Sequence, residues 1–132
     1  MKSARLLFAA CATAIAAMPA SVQAQDARVT VVQAHVDRYK ARDLDGFMRT
    51  FAPDAVVVAN GITARGKGQI RQFYALNFAP KAPTIKIEGS GWNGEAIYLQ
   101  VRYNFADGQT LCCSYTEYTV RDGKITYVNA SG

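Results

Sequence analysis

The chain has little with which to hold a metal. It carries one histidine and three cysteines in 132 residues, and two of those cysteines, Cys112 and Cys113, are neighbours. A zinc site needs about four convergent ligands, which this set cannot supply. We therefore expect no metal, and no other signature calls for a cofactor. Charge of one sign is also scarce. The only tight basic cluster, Arg38, Lys40 and Arg42, reads as the solvated end of a helix, and few aromatic residues interleave with basic ones. Both observations argue against nucleic acid as a partner. Gly66-Lys67-Gly68 and Gly89-Ser90-Gly91 lack the spacing of a phosphate loop and of a nucleophile elbow. Repeats, linkers and low-complexity tracts are missing too. With half of its residues apolar, the chain fits one domain with a substantial core.

Long apolar runs are missing everywhere except at the start. MKSAR supplies two positive charges, LLFAACATAIAAM is apolar, and Val22-Gln23-Ala24 is a small-residue cleavage site. These are the three parts of a secretory signal peptide. The run is short for a membrane span, and Pro19 follows closely. Residues 1–24 are therefore read as a leader and 25–132 as a periplasmic or secreted domain, with no stable membrane insertion after cleavage. A lipoprotein reading through Cys11 is set aside, because only about half of the apolar run would precede the modified residue. Losing Lys2 and Arg5 lowers the formal net charge from +5 to +3. Cys112 and Cys113 then remain. Neighbours close almost no loop, and alternation along a strand points them to opposite faces. Free thiols are expected, Cys112 toward the interior and Cys113 outward; a vicinal disulfide or an intermolecular bridge is the alternative.

From Asp26, Val29, Val32, Val36 and Tyr39 recur at helical spacing. Asp43 is placed to cap a second, short helix with a stripe of Leu44, Phe47 and Phe51, stopped by Pro53. Ala55–Ala59 is a strand of valines, Asn60-Gly61 a hairpin turn, and Ile62–Ala64 its return. A third helix covers about Lys67 to Phe78, burying Ile70, Phe73, Tyr74 and Leu76. Thr84–Glu88, Glu95–Phe105, Thr110–Val120 and Lys124–Asn129 read as strands, with turns at Ala106-Asp107-Gly108 and Arg121-Asp122-Gly123. The layout is α+β: three N-terminal helices, then a mostly antiparallel sheet.

The pieces VVQAHVDRYKARDLDGFMRTFAPDAVVV, GKGQIRQFYALNF and YTVRDGKITYV together resemble the nuclear transport factor 2-like superfamily. They are most similar to its ketosteroid isomerase and SnoaL-like branch, and the resemblance spans the mature chain. It implies a strongly bent sheet with helices across its concave face, a cone enclosing an apolar pocket, and pairing of two copies through the outer sheet face.

The resemblance also bears on the acids of ARDLDGFMRTFAPDAVVV. Asp43, Asp45 and Asp54 match architectural positions, as a cap, a first-turn charge and a turn residue. The isomerase catalytic positions fall on Ala59 where a general-base aspartate stands, and on His35 and Thr116 where the oxyanion-binding tyrosine and aspartic acid stand. Alanine cannot carry a proton, which argues against steroid isomerisation by that route. An assisting tyrosine has a match at Tyr74.

Strand alternation, oriented by the resemblance, points Ile97, Leu99, Val101, Tyr103 and Phe105 inward, with Cys112, Ser114, Thr116, Tyr118 and Val120 facing them. A bulge between Cys112 and Glu117 would swap the second set. The expected binding surface is Asn60, Leu99, Val101, Tyr103, Ser114, Thr116, Tyr118 and Val128. That mix suits a small hydrophobic molecule bearing oxygens. His35 reads first as a hydrogen-bonded packing residue and, in an enzyme, as the acid–base partner of Tyr74. Trp92 is either pocket rim or surface hairpin. Two functions follow: acid–base chemistry of isomerase, dehydratase or cyclase type, or a non-catalytic binding or dimerising module.

Overall fold

The structure, a computed structural model, describes residues 20–132. Helix α1 spans Ala20–Lys40 and α2 spans Leu44–Arg49. Strands β1 (Phe51–Ala59) and β2 (Ile62–Arg65) form a hairpin, and α3 (Gly66–Tyr74) continues into a 3-10 turn over Ala75–Phe78. Strands β3 (Thr84–Asn93), β4 (Ala96–Asn104), β5 (Thr110–Arg121) and β6 (Lys124–Ser131) complete the chain. α1 begins inside the leader expected over 1–24, of which residues 1–19 lie outside the described residues.

The six strands make one strongly curved, open sheet in the order β2-β1-β6-β5-β4-β3. All neighbours are antiparallel except β1 and β6, which run parallel. The three helices pack over its concave side, so the expected α+β cone holds, with the sheet left unclosed between β2 and β3. Among the described residues no helix is long and apolar enough to cross a membrane.

Local chemistry explains the joints. Asp43 accepts the Gly46 amide at 2.9 Å and caps α2. A side chain at residue 46 would collide with that carboxylate. Asp45, in the first turn of α2, pairs with Arg71 of α3. Asn60 and Gly61 both take left-handed φ, 50° and 84°, as a tight type I′ hairpin requires. Asp122 and Gly123 repeat this between β5 and β6. Asp43 and Asp45 are therefore architectural, as expected, while Asp54 is exposed. Asp54, however, sits inside β1 rather than in a turn. Pro53 and Asp54 fall where the β1–β6 register shifts, a place where a strand tolerates proline.

Three apolar expectations are corrected. Phe51 is fully buried but starts β1; α2 has already ended, and the Thr50 carbonyl accepts the Ile125 amide of β6. Leu76 is 83% exposed, because the helix tightens to three residues per turn after Tyr74 and rotates it outward. Val29 is partly exposed beside Trp92 rather than in the core. The helical face that does bury is Val32, His35 and Val36, packed with Phe47, Phe51, Ile70, Val57, Ile125 and Val128.

The register of β5 is settled by a bulge at its start. Val101 pairs with Ser114 but Tyr103 with Leu111, so Cys112 and Cys113 together oppose Arg102. From Ser114 onward alternation is regular, keeping Ser114, Thr116, Tyr118 and Val120 inward and leaving Tyr115 and Glu117 on the outer face. The expectation for the cysteines fails. Both are exposed, and they are joined as a vicinal disulfide. The bulge has removed the alternation that would have turned Cys112 inward.

Candidate functional site

A cavity of about 380 Å³ opens between the helices and the concave sheet face. Each element contributes for a local reason. α1 presents His35, Val36 and Tyr39 along one stripe; α3 ends in Tyr74; and the regular part of β5 aims Ser114, Thr116 and Tyr118 inward. Val101 and Tyr103 form the facing wall from β4, and Asn60 stands at the rim where the β1 hairpin turns. Ala59, His35 and Thr116, the positions matched to the three isomerase catalytic residues, all line this one cavity, with Tyr74.

Eight of the expected site residues therefore meet: His35, Asn60, Tyr74, Val101, Tyr103, Ser114, Thr116 and Tyr118. Leu99 and Val128 do not join them. Leu99 lines a second hollow of about 350 Å³ between α1 and the β3–β4 hairpin, separated from the first by α1 residue Val36, which borders both. Val128 is sealed in the core, paired with Val57 on one side and Tyr118 on the other. Trp92 borders the second hollow, with the Arg28 guanidinium 4.7 Å from its ring centre. It is surface, not rim of the main cavity.

Sequence reasoning missed the mouth. Asn77 donates to the Tyr39 hydroxyl at 3.0 Å, and Pro83, Ile85 and Leu111 complete that edge. Tyr39 lies four residues after His35 on the buried stripe and was findable by spacing; Asn77, in a 3-10 turn, gave no pattern. Thr50 was missed as well. It sits behind His35 rather than in the cavity wall.

His35 is 3% exposed and enclosed by the rings of Phe47, Phe51 and Tyr118. Its Nδ1 lies 2.8 Å from Thr50 Oγ1, and that hydroxyl donates to the Phe47 carbonyl at 2.6 Å. Burial pushes the imidazole pKa down to about 3, so His35 is neutral at ordinary pH. Burial also raises Tyr74, reinforced by Tyr103 and Tyr39, and raises Tyr118 well above the ordinary phenol value. Tyr103 is raised likewise, with Ser114 hydrogen-bonding in the opposite sense. All these groups are uncharged. Among the described residues lining the cavity, none is Asp, Glu, Lys or Arg. The described residues also contain no group of three or more His, Cys, Asp or Glu side chains able to hold a metal.

Chemically, the cavity is an apolar chamber carrying hydroxyls, two amides and one neutral imidazole. It can hold and orient an uncharged molecule. It lacks a carboxylate to move protons between carbons.

Comparison with known proteins bears on the fold. A candidate polyketide cyclase from Sinorhizobium meliloti is 22% identical, with a TM-score of 0.68, covering 76% of this chain and 93% of that one. A nuclear transport factor 2-like protein of unknown function from Mesorhizobium loti is 18% identical at TM-score 0.71, covering 80% and 90%. TerC, co-crystallised with polyporic acid, is 19% identical at 0.65, covering 79% and 89%. Identities this low establish the shared fold alone. No curated protein matches the chain. The SnoaL-like domain model matches residues 32–128, a span that runs from the buried face of α1 to the middle of β6 and contains nearly the whole cavity. The chain belongs to the SnoaL-like domain family.

Proposed function

We propose that this domain binds a small, uncharged, mainly apolar molecule bearing one or more oxygens, and that binding rather than proton-transfer catalysis is its activity. The observation that carries this reading is the wholly uncharged cavity lining. An ionised ligand would leave water for a chamber with no counter-charge, at a cost of several kcal/mol. A neutral one would bury its apolar body and meet the hydroxyls of Tyr74, Thr116 and Tyr118. The volume suits a molecule of that kind. The co-crystallisation of TerC with polyporic acid supports a fold able to hold a small molecule.

A second reading is acid–base chemistry of isomerase, dehydratase or cyclase type. His35 and Tyr74 would be its proton-transfer pair, with Thr116 or Asn60 holding the substrate oxygen. It is favoured by the imidazole that borders the cavity. The same burial that places it there leaves it a weak base, so binding takes precedence.

Native mass spectrometry of purified protein tests the reading. A co-purifying neutral molecule, lost on denaturation, is expected. A bound carboxylate or amine would overturn it. The proposal extends to an exported protein, released by cleavage after Ala24, and to a homodimer paired through the outer sheet face. Intact mass of the exported form should lack the first 24 residues; a retained leader or a lipid on Cys11 would refute the export.

A further inference from the structure

The hydrogen-bond chain behind His35 fixes more than its position. Thr50 Oγ1 lies 2.6 Å from the Phe47 carbonyl oxygen. Two oxygens approach that closely only with a proton between them, and the carbonyl has none to give. The threonine's single proton is therefore committed to Phe47. Toward His35, 2.8 Å away, Thr50 Oγ1 can only accept. The proton of the neutral imidazole must then sit on Nδ1, which leaves Nε2 as a bare lone pair.

Nε2 has no protein partner among the described residues. It is also not sealed away: the one side-chain nitrogen or oxygen both enclosed and unpartnered there is Arg28 Nε. His35 borders the main cavity, so the free lone pair looks into it. The surrounding hydroxyls of Tyr74, Thr116 and Tyr118 can each give or accept a hydrogen bond. Nε2 alone is restricted to accepting. The ring cannot flip to change this without breaking the Thr50 bond and clearing Phe47, whose ring centre is 4.2 Å away.

Resting on the reading of the cavity as a site for uncharged molecules, we propose that His35 Nε2 selects ligands that present a hydroxyl donor, a phenol, enol or alcohol, over the corresponding ether or ketone. A ligand without a donor leaves a desolvated lone pair unpaired, and such an unpaired group penalises binding more than a formed bond rewards it. Thr50 acts through His35 as a positioning residue by holding the tautomer.

A matched pair of probes tests this: β-naphthol and its methyl ether, titrated by calorimetry into the purified protein. The naphthol should bind about fivefold or more tightly than the ether, as one neutral hydrogen bond implies. His35→Leu should bring the two affinities together. Equal affinities for the wild type would overturn the role of His35 while leaving a neutral binding cavity intact. Failure of both probes, with a charged molecule found bound, would instead sink the reading of the cavity. Nitrogen NMR of the imidazole gives a check that needs no variant, since the chain has one histidine. Nδ1 should carry the proton and Nε2 should not; the reverse would refute the proposal. Thr50→Val should mix the two tautomers, a change that a purely structural threonine would not produce.

Discussion

Arg42 donates from one guanidinium nitrogen to the Ala79 carbonyl and from the other to the Ala82 carbonyl, each at 2.8 Å. This fork ties the turn after α1 to the segment that leads into Pro83 and Ile85 at the cavity mouth. Lysine at this position keeps the charge but lacks the planar fork that presents two separate nitrogens to the two oxygens. Arg42→Lys should cost about 1–3 kcal/mol and raise hydrogen exchange across residues 77–85 more than elsewhere. Unchanged exchange there would show that the mouth is held by other contacts.

Burial of His35 makes stability depend on pH in a definite direction. Its folded pKa, about 3, lies below the ordinary 6.5. Between those values the unfolded chain binds the proton and the folded chain does not, so stability falls as pH drops from about 6.5 toward 3. This group alone should remove about 2–3 kcal/mol between neutral pH and about pH 4.5. Urea titrations of wild type and His35→Gln at both pH values isolate the term, because the surface carboxylates contribute equally to each. Parallel losses in the two proteins would contradict it.

The cap of α2 should be intolerant of a methyl group. Gly46→Ala places a carbon against the Asp43 carboxylate that receives the Gly46 amide. A loss of about 1–2 kcal/mol is expected, close to that of Asp43→Ala. The double variant should lose less than the sum, since both changes remove the same bond. Full additivity would rule out the shared mechanism.

The outer sheet face carries Tyr98 stacked on Tyr115, with ring centres 5.3 Å apart, and Glu117 accepting from both Tyr115 and Asn93. Aromatic surface with its polar groups already internally paired is suited to being covered. Light scattering at high micromolar concentration should report a dimer, and Tyr115→Lys should shift it toward monomer. A wild-type monomer under those conditions would end the dimer proposal.

Much of the cavity was legible because period-two alternation survives where the sheet is regular. Ser114, Thr116 and Tyr118 point inward as expected, and the same logic placed Val101 and Tyr103. It broke at Cys112, where two residues answer one on the neighbouring strand, and sequence alone does not locate such a bulge. Leu99 and Val128 kept their expected face but missed the cavity: α1 crosses the concave side at Val36 and leaves Leu99 in the second hollow, while Val128 is sealed in the core. Periodicity reports which side of a sheet a residue occupies, not what lies over it there. Thr50 was invisible for a different reason. Its importance comes from two oxygens and a nitrogen brought together across fifteen residues of chain, and no local pattern encodes that.

The parallel pairing of β1 with β6 sets a schedule for folding. Strands β3 to β6 are joined by successive hairpins and can assemble from local contacts. The β1–β2 hairpin can join that sheet only through β6, where Phe51 meets Ile125 and Val56–Ala59 meet Tyr127–Ala130, after the whole intervening chain has been made. Closing so long a loop is the slow kind of step in sheet assembly. Loss of the last eight or so residues would strand the hairpin and α3 from the other strands, so a ribosome that withholds the C-terminus also withholds the finished domain.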